Sequence, residues 1–224
     1  LEMFRYTVWT EELESYGYSG IEEALWALHK SPQMLDECRR LLEYNLDHIH
    51  FVDKPLYLSK NVPAEIGPEC PLDLHCQYTM NQLQIGLGFD MPYNQQAGVY
   101  HYKDLKMDLF FVTLNKTEKD FSPETMYQDY AINEKLFHWQ SQHRTDVKSP
   151  TGQRYINHQA EGSNILLFVR EYKKDLYDKT EPYTLLGFVD YVQHKGNRPI
   201  SFVWRLREKI PAYFLQKSSA VEVS

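Results

Sequence analysis

Apolar side chains recur at helical spacing in the first quarter of the chain. Between residues 21 and 51 they are separated by charged and polar residues, which places them on one face of a helix. Ser31 followed by Pro32 is typical of a helix start, because serine caps the first turn and proline fits its first position. The pattern predicts a helical hairpin. Its apolar positions are Leu35, Leu42, Leu46 and Ile49.

Prolines punctuate the chain after this hairpin, at positions where a helix cannot continue. The segment from Thr79 to Leu87 then predicts a short capped helix that ends at Gly86 and Gly88, since glycine readily adopts the backbone conformation that terminates helices. The interrupting prolines are Pro55, Pro63, Pro68 and Pro71.

The second half of the chain changes to strand-forming segments. Six stretches are rich in β-branched and aromatic residues and are bounded by Gly, Pro or Asn. Two short helices are predicted among them, one beginning at Ser122-Pro123 and one after Ser149-Pro150. We expect an α+β fold in which a helical segment precedes a small curved β-barrel. The six stretches are GVYHY, MDLFFVTLN, KLFHWQSQ, NILLFVREY, YTLLGFVDYVQH and ISFVWRLRE.

Composition restricts the classes of function. The 224 residues include 25% charged and 42% hydrophobic residues, which is ordinary for a folded protein. The net charge of -7 argues against a protein that coats nucleic acid indiscriminately, so any DNA contact must be local. Three cysteines without a CxxC pair indicate neither a disulfide framework nor a zinc knuckle, and favour a reducing cytoplasm. We expect no membrane association, because no run of 18 apolar residues occurs.

Common catalytic and cofactor motifs are missing. The sequence contains no GxxxxGK[ST] phosphate loop, no HExxH and no GxSxG, and His48 with His50, or His138 with His143, lacks the further ligands of a metal site. We therefore predict no catalytic residue, no metal and no cofactor in this chain. An enzymatic alternative remains, in which a site is assembled from distant residues, but no motif supports it. Its candidates are Asp108, Asp129, His138 and His158.

The densest polar and aromatic run lies between Asn115 and Gln142. Flat rings can sandwich an extruded base, a carboxylate can accept a hydrogen bond from the N4 amine of cytosine, and an amide can read the remaining edge. Phe137 is assigned to the core. For Trp139, Tyr127 and Tyr130, base binding and packing in the core are equally good interpretations. The predicted base pocket comprises Tyr127, Asp129, Tyr130, Trp139, Gln140 and Gln142.

Three short basic and polar segments could contact a DNA backbone or groove. Taken singly they are ordinary turns, as in HKGNRP, which joins two predicted strands. Only their convergence on one rim of the fold would give them a shared role. The candidates are Asn115, Lys116 and Lys119; Arg154 and His158; and His194, Lys195, Asn197 and Arg198.

Several ordered motifs together resemble a known family. FFVTLNKTEKDFSPETMYQDYAINEKLFHWQSQ, SPTGQRYINH, ILLFVRE, PYTLLGFVDYVQHKGNRP and IPAYFL are similar to the C-terminal domain of SauUSI-type restriction enzymes, from about residue 71 to residue 215. The resemblance implies an SRA/PUA-like reader over residues 71–224, preceded by a helical appendage over residues 1–70.

The resemblance also implies a function and a setting. The parent would be an ATP-dependent type IV restriction endonuclease with a phospholipase D-like nuclease and a superfamily II helicase, in which this domain binds duplex DNA carrying 5-methylcytosine or 5-hydroxymethylcytosine and flips the modified base. Its partners would be that DNA and the nuclease and helicase domains of the same chain, with a homodimer as a further option. The alternative is a module that docks on the helicase or mediates dimerisation through its aromatic surface.

Overall fold

A computed structural model describes residues 1–47, 70–89, 98–116, 129–212 and 214–215. The chain forms two compact units, one made of Leu1–Val52 with Asn81–Pro92 and the other of Asp53–Met80 with Tyr93–Ser224. The predicted division at residue 70 stays a prediction, as does the helix expected at Ser122-Pro123, which lies outside the described residues.

The first unit is helical, and the predicted hairpin is confirmed. Two of its helices pack around an apolar cluster that includes Ala24 and Leu28, with Leu35 against its edge. The predicted short helix is also confirmed, and Gly88, which follows its end, has a φ of 86°. The elements are α1 (Glu2–Val8), a 3-10 helix (Leu13–Tyr16), α2 (Ile21–His29), α3 (Pro32–Asp47) and α4 (Met80–Gly86).

The second unit is built on one sheet. Its strand order is β2-β3-β6-β7-β8-β5-β4, with β1 beside β7; among the strands of the described residues, β3 and β6 pair in parallel and all other pairs are antiparallel. All six predicted strands are present, whereas the two-residue strands β1 and β4 had not been predicted. The strands are β1 (Gln77–Tyr78), β2 (Val99–Tyr102), β3 (Met107–Thr113), β4 (Tyr130–Ala131), β5 (Leu136–Gln140), β6 (Asn164–Arg170), β7 (Tyr183–Lys195) and β8 (Ser201–Leu206).

The sheet curls around an aromatic core. Phe110 of β3 stacks on Trp139 of β5 with ring centroids 4.2 Å apart, although three strands lie between β3 and β5 in the sheet order. The α+β class is confirmed, but the expected SRA/PUA-like barrel is not shown. Among the described strands, β2 and β4 end the sheet without pairing to each other, so the sheet is open.

A fifth helix, α5 (Pro150–Asn157), closes one side of this core and was predicted. Ser149 caps it, because its Oγ accepts a hydrogen bond from the backbone N–H of Gly152 at 3.1 Å. Tyr155 projects from α5 into the core and meets the ring of Phe110 edge to face, at 5.1 Å. The helix therefore both covers the aromatic core and connects β5 to β6.

The long strand β7 changes partners along its length. It pairs with β6 up to Val189 and with β8 from Val189 onwards, with register shifts on both sides. Gly187 lies in its first half with a φ of +95°, a region that favours glycine. A Cβ at this position would lie 2.8 Å from Cδ1 of Leu74. This glycine allows β7 to serve both halves of the curled sheet.

Replacing Gly187 with alanine should therefore destabilise the protein. Backbone strain at positive φ and the contact with Leu74 act together, and we expect the free energy of unfolding to fall by about 1–3 kcal/mol. Urea unfolding followed by tryptophan fluorescence measures the change. Gly20→Ala is the control, since a Cβ there meets nothing within 4 Å. Gly20 is the N-cap of α2, where alanine is less favourable than glycine, so we expect a loss of at most about 1 kcal/mol. Equal stability of G187A and wild type would contradict the role of Gly187.

Candidate nucleic-acid interface

Two segments that are distant in sequence meet at one edge of the second unit. Residues 142–149 follow β5, and residues 194–198 comprise the end of β7 and the first part of the turn that leads to β8. Asn197 joins them, since its Oδ1 accepts a hydrogen bond from the N–H of Val147 at 2.9 Å and its Nδ2 donates to Asp146 at 3.0 Å. Arg198 adds an ion pair with Asp146 at 3.0 Å. We call these two segments the basic rim.

The basic rim is positively charged within an acidic chain. Four exposed cationic side chains and one carboxylate, that of Asp146, give it a net charge of +3, while the whole chain carries -7. Lys195 and Arg198 had been predicted as DNA contacts. The other two were missed, because only the tertiary contact through Asn197 brings residues 142–149 to the same surface. The four cations are Arg144, Lys148, Lys195 and Arg198.

His194, another predicted contact, is held at the beginning of this turn. Its Nδ1 lies 2.7 Å from the hydroxyl of Tyr191, and its ring lies 5.9 Å from that of Phe202. The imidazole is half-buried. These contacts orient the ring where β7 leads into the basic rim.

A buried carboxylate ties several strand ends together. Asp129, directly before β4, pairs through Oδ2 with Nζ of Lys116 at 2.5 Å and accepts the N–H of Gln140 on Oδ1 at 2.9 Å. The side-chain amide of Gln140 donates in turn to Oγ of Ser201 at 3.3 Å. The end of β3 therefore lies beside the beginning of β4 and the ends of β5 and β8 that adjoin the basic rim. We call Lys116, Asp129, Tyr130, His138 and Gln140 the Asp129 cluster.

The ion pair at the centre of this cluster is almost completely enclosed. The side chains of Lys116 and Asp129 are 7% and 3% exposed. Burial raises the pKa of the Asp129 carboxyl, and the Lys116 ammonium and the backbone N–H of Gln140 oppose that shift. Each carboxylate oxygen thus already accepts one hydrogen bond from the protein, which makes Asp129 a residue that positions its neighbours.

Tyr130 and His138 form the aromatic part of the cluster. Their rings stack with centroids 4.7 Å apart and an angle of 19°. His138 is 8% exposed, whereas Tyr130 is half-buried. His138 alternates along β5 with Phe137 and Trp139, so this stack lies on the sheet face opposite the core. A flat ring supported from behind in this way can stack against a planar ligand.

Trp139 lies on the other face of β5. It is 4% exposed and is enclosed by Phe110 and Phe202. The buried position differs from the predicted base contact. Side chains alternate between the two faces along a strand, and the odd-numbered residues of β5 face the core. The assignment of Phe137 to the core is confirmed by its 0% exposure.

Arg154 is not brought to the basic rim. Its guanidinium makes a two-pronged pair with Asp108, with both N–O distances at 2.8 Å, and Asp108 is 0% exposed. Asp108 is near the beginning of β3, at the opposite end from Lys116. Nδ1 of His101 on β2 lies 3.3 Å from the same carboxylate. The pair ties α5 to the sheet, in place of the predicted phosphate contact.

His158 is likewise internal. It is 0% exposed; its Nε2 accepts a hydrogen bond from the N–H of Tyr191 at 3.1 Å, and its Nδ1 lies 3.2 Å from the carbonyl oxygen of Ser163. Accepting on Nε2 while donating from Nδ1 describes a neutral imidazole. Burial lowers the pKa of His158. Instead of binding DNA, the ring fixes the end of α5 to β7 beside its register shift.

The remaining predicted residues are placed as follows. Gln142 is exposed in the basic rim. Asn115 is half-buried, and its backbone N–H donates to the carbonyl oxygen of Glu171 at 2.8 Å. Lys119 and Tyr127 lie outside the described residues.

Two further properties concern the described part of the chain. No group of three or more His, Cys, Asp or Glu side chains there is arranged to hold a metal ion. None of the helices within it has the length and apolar character needed to cross a membrane. Of the residues in the enzymatic alternative, Asp108 is bound to Arg154 and Asp129 to Lys116.

The fold and its surface define an α+β domain with an open, curled sheet and a positively charged rim. The chain belongs to the family described as "Domain of unknown function (DUF3427)", which matches residues 72–217. No curated protein matches the sequence.

Two solved structures are similar to part of the chain. The first, "DNA recognition domain of the cytosine modification-dependent restriction endonuclease LpnPI", is 7% identical with a TM-score of 0.39, over 59% of this chain and 72% of the other. The second, "DNA modification-dependent restriction endonuclease AspBHI", is 13% identical with a TM-score of 0.38, over 67% and 81%.

The buried His158 makes stability depend on pH. The unfolded chain binds a proton near pH 6.5, whereas the folded state holds the neutral ring, so its contribution is full above that pH and is lost as the pH falls below it. His158→Gln should lower the free energy of unfolding by about 1–3 kcal/mol at pH 7.5. The difference between wild type and variant should shrink as the pH falls below about 6.5.

Urea unfolding at several pH values provides the measurement. His143→Gln, at an exposed position in the basic rim, is the matched control and should leave the pH dependence of wild type intact. A constant difference between wild type and H158Q across this range would show that His158 is not neutral in the fold.

Proposed function

We propose that this chain is a DNA-recognition domain that binds duplex DNA across the basic rim and prefers duplexes with a modified cytosine. The observation that carries the proposal is the meeting of Arg144, Lys148, Lys195 and Arg198 on two joined segments of a chain that is acidic elsewhere. The preference for 5-methylcytosine or 5-hydroxymethylcytosine is supported by the resemblance to SauUSI-type enzymes.

Backbone contacts account for the position of the duplex in this proposal. Exposed lysine and arginine side chains neutralise phosphates and release counterions, which supplies affinity without reading sequence. The acidity of the rest of the chain disfavours DNA elsewhere on the protein. Asn197 holds the two segments together, so its contribution is to position the cations. His194 and Gln142 can donate hydrogen bonds from the same surface.

Base recognition is assigned to the Asp129 cluster. The Tyr130 ring, supported by His138, offers a stacking surface, and the amide of Gln140 offers the donor and acceptor that read a base edge. Asp129 holds the backbone of Gln140 and the ammonium of Lys116 in place. We infer that a nucleotide flipped out of the duplex reaches this cluster, since a stacking ring beside an amide at the strand ends suits a single extruded base. Tyr127 and Lys119 remain predicted participants on sequence grounds.

The wider setting follows the same resemblance. We infer a parent enzyme of the ATP-dependent type IV restriction class, in which the nuclease and helicase domains perform the catalysis and this domain supplies selectivity.

A docking or dimerisation role has an observation of its own in the helical unit. Trp26 is 56% exposed, and Leu41 and Leu42 are each 60% exposed. A groove of about 350 Å³ runs between Phe4, Leu28 and Leu42. Exposed apolar side chains on neighbouring helices are typical of protein contacts. Sedimentation velocity of the purified chain measures whether this surface supports a homodimer.

The basic rim should control affinity and its salt dependence. The triple variant Arg144→Gln, Lys148→Gln, Lys195→Gln should bind duplex DNA about tenfold or more weakly at about 0.1 M salt, because it loses up to three phosphate contacts. The slope of log affinity against log salt concentration should become about 2–3 less negative. Fluorescence anisotropy titrations over a range of salt concentrations measure both quantities.

The matched control removes three exposed lysines outside the basic rim, Lys30, Lys103 and Lys106, with the same change in net charge. We expect its affinity and salt slope to stay close to those of wild type. Similar losses in both triple variants would mean that net charge, and not the basic rim, governs binding.

Modified cytosine should improve binding modestly. Burying one methyl group contributes on the order of 1 kcal/mol, which corresponds to about a fivefold lower Kd for a duplex with 5-methylcytosine than for its unmodified counterpart. Competition titrations with otherwise identical duplexes measure the ratio. Equal affinities would leave a general DNA-binding domain and remove the preference for modification.

A further inference from the structure

The connection between β6 and β7, residues 171–182, presents two apolar side chains to solvent. Leu176 is 100% exposed and Tyr177 is 83% exposed. They are adjacent, and we call the pair the apolar tip. Neither side chain stabilises the fold by burial, so both are available to a partner.

The backbone around the tip is tightly organised. Oδ1 of Asp175 accepts hydrogen bonds from the N–H groups of Tyr177 and Lys179 at 2.8 and 2.9 Å. The N–H of Asp175 donates to the carbonyl oxygen of Lys179 at 2.8 Å, and Lys174 pairs with Asp178 at 2.8 Å. The carboxylates near the tip are therefore engaged within the turn, while the Leu and Tyr side chains are directed outward.

The connection begins beside the Asp129 cluster. The N–H groups of Leu114 and Asn115 donate to the carbonyl oxygens of Arg170 and Glu171, at 3.0 and 2.8 Å. Lys116, the next residue, is the one that pairs with Asp129. The root of the connection is thus one residue away from the cluster proposed to read a base. The connection also carries three lysines and four carboxylates, of which Lys174 and Asp178 are paired with each other, so its contact with DNA would come from the apolar tip and not from net charge.

We propose that the apolar tip is a wedge that enters the DNA base stack next to the nucleotide held by the Asp129 cluster. This inference rests on the proposed function. A leucine and an aromatic ring at the end of a hydrogen-bonded turn can separate adjacent base pairs and stack in their place. The wedge would offset the unstacking that extrusion of a base requires. Leu176 supplies apolar bulk, and Tyr177 supplies a flat stacking face.

The experiment uses a duplex with one 5-methylcytosine and a 2-aminopurine beside it, whose fluorescence rises when it unstacks. Wild type should raise the fluorescence on binding. The variant Leu176→Ala, Tyr177→Ala should lose most of that rise and bind at least about fivefold more weakly, since a stacked base contributes strongly to affinity. Its thermal unfolding midpoint should match that of wild type, because both side chains are exposed.

Ile132→Ala is the matched control, since it removes an apolar side chain that is 44% exposed on the turn between β4 and β5. It should keep the fluorescence rise and the affinity. If wild type binds no duplex, the proposed function and the wedge are both wrong. If wild type binds but the double variant gives the same rise and affinity, only the wedge is wrong. Unchanged DNA binding with loss of self-association in sedimentation would assign the tip to a protein interface.

Discussion

The stack of Phe110 on Trp139 is the contact on which the second unit depends. Strands β3 and β5 are separated by β6, β7 and β8 in the sheet, yet these two rings lie face to face at 4.2 Å. Tyr155 from α5 and Trp204 from β8 pack around the same ring. Because the sheet must curl to make this core, the end of β3 arrives next to the beginning of β4 and the end of β5. The Asp129 cluster exists as a consequence.

Buried polar groups then hold the curled sheet in register. Asp108 with Arg154, Asp129 with Lys116, and His158 with the Tyr191 backbone each satisfy a group that would otherwise be costly inside the protein. Each pair joins elements that are distant in sequence. Such pairs contribute as much to which structure forms as to how stable it is, since a slipped strand would leave a charge or a donor without its partner.

The long strands and most helices could be predicted from local sequence because their signals are local. The run ILLFV at residues 165–169 is apolar throughout, and Ser149-Pro150 marks a helix start by its own chemistry. The two-residue strands β1 and β4 have no periodicity to detect. Closure of the sheet could not be predicted either, because it depends on whether distant edges pair. The open sheet reflects that β4 is only two residues long and pairs with β5 alone.

The candidate site was predicted in part for the same reason. Residue types suggested Lys195 and Arg198 correctly as surface cations, but Arg154 and His158 have the same chemistry and are tied into the interior. The two interior residues differ from the exposed cations by a buried partner such as Asp108, which holds Arg154. Asp108 is 46 residues away from Arg154, so no local pattern reveals the pair. Arg144 and Lys148 joined the basic rim only through Asn197. Sequence identifies capable side chains, whereas tertiary contacts decide which of them remain available.

The uneven distribution of charge has a kinetic meaning. With +3 on the basic rim and -7 on the whole chain, all other residues together carry -10. In the field of a polyanion, this asymmetry would turn the approaching domain so that the basic rim faces the polyanion first. The domain would then meet a duplex with the basic rim already facing it. It could release and rebind along the duplex in the same orientation while it searches for its site.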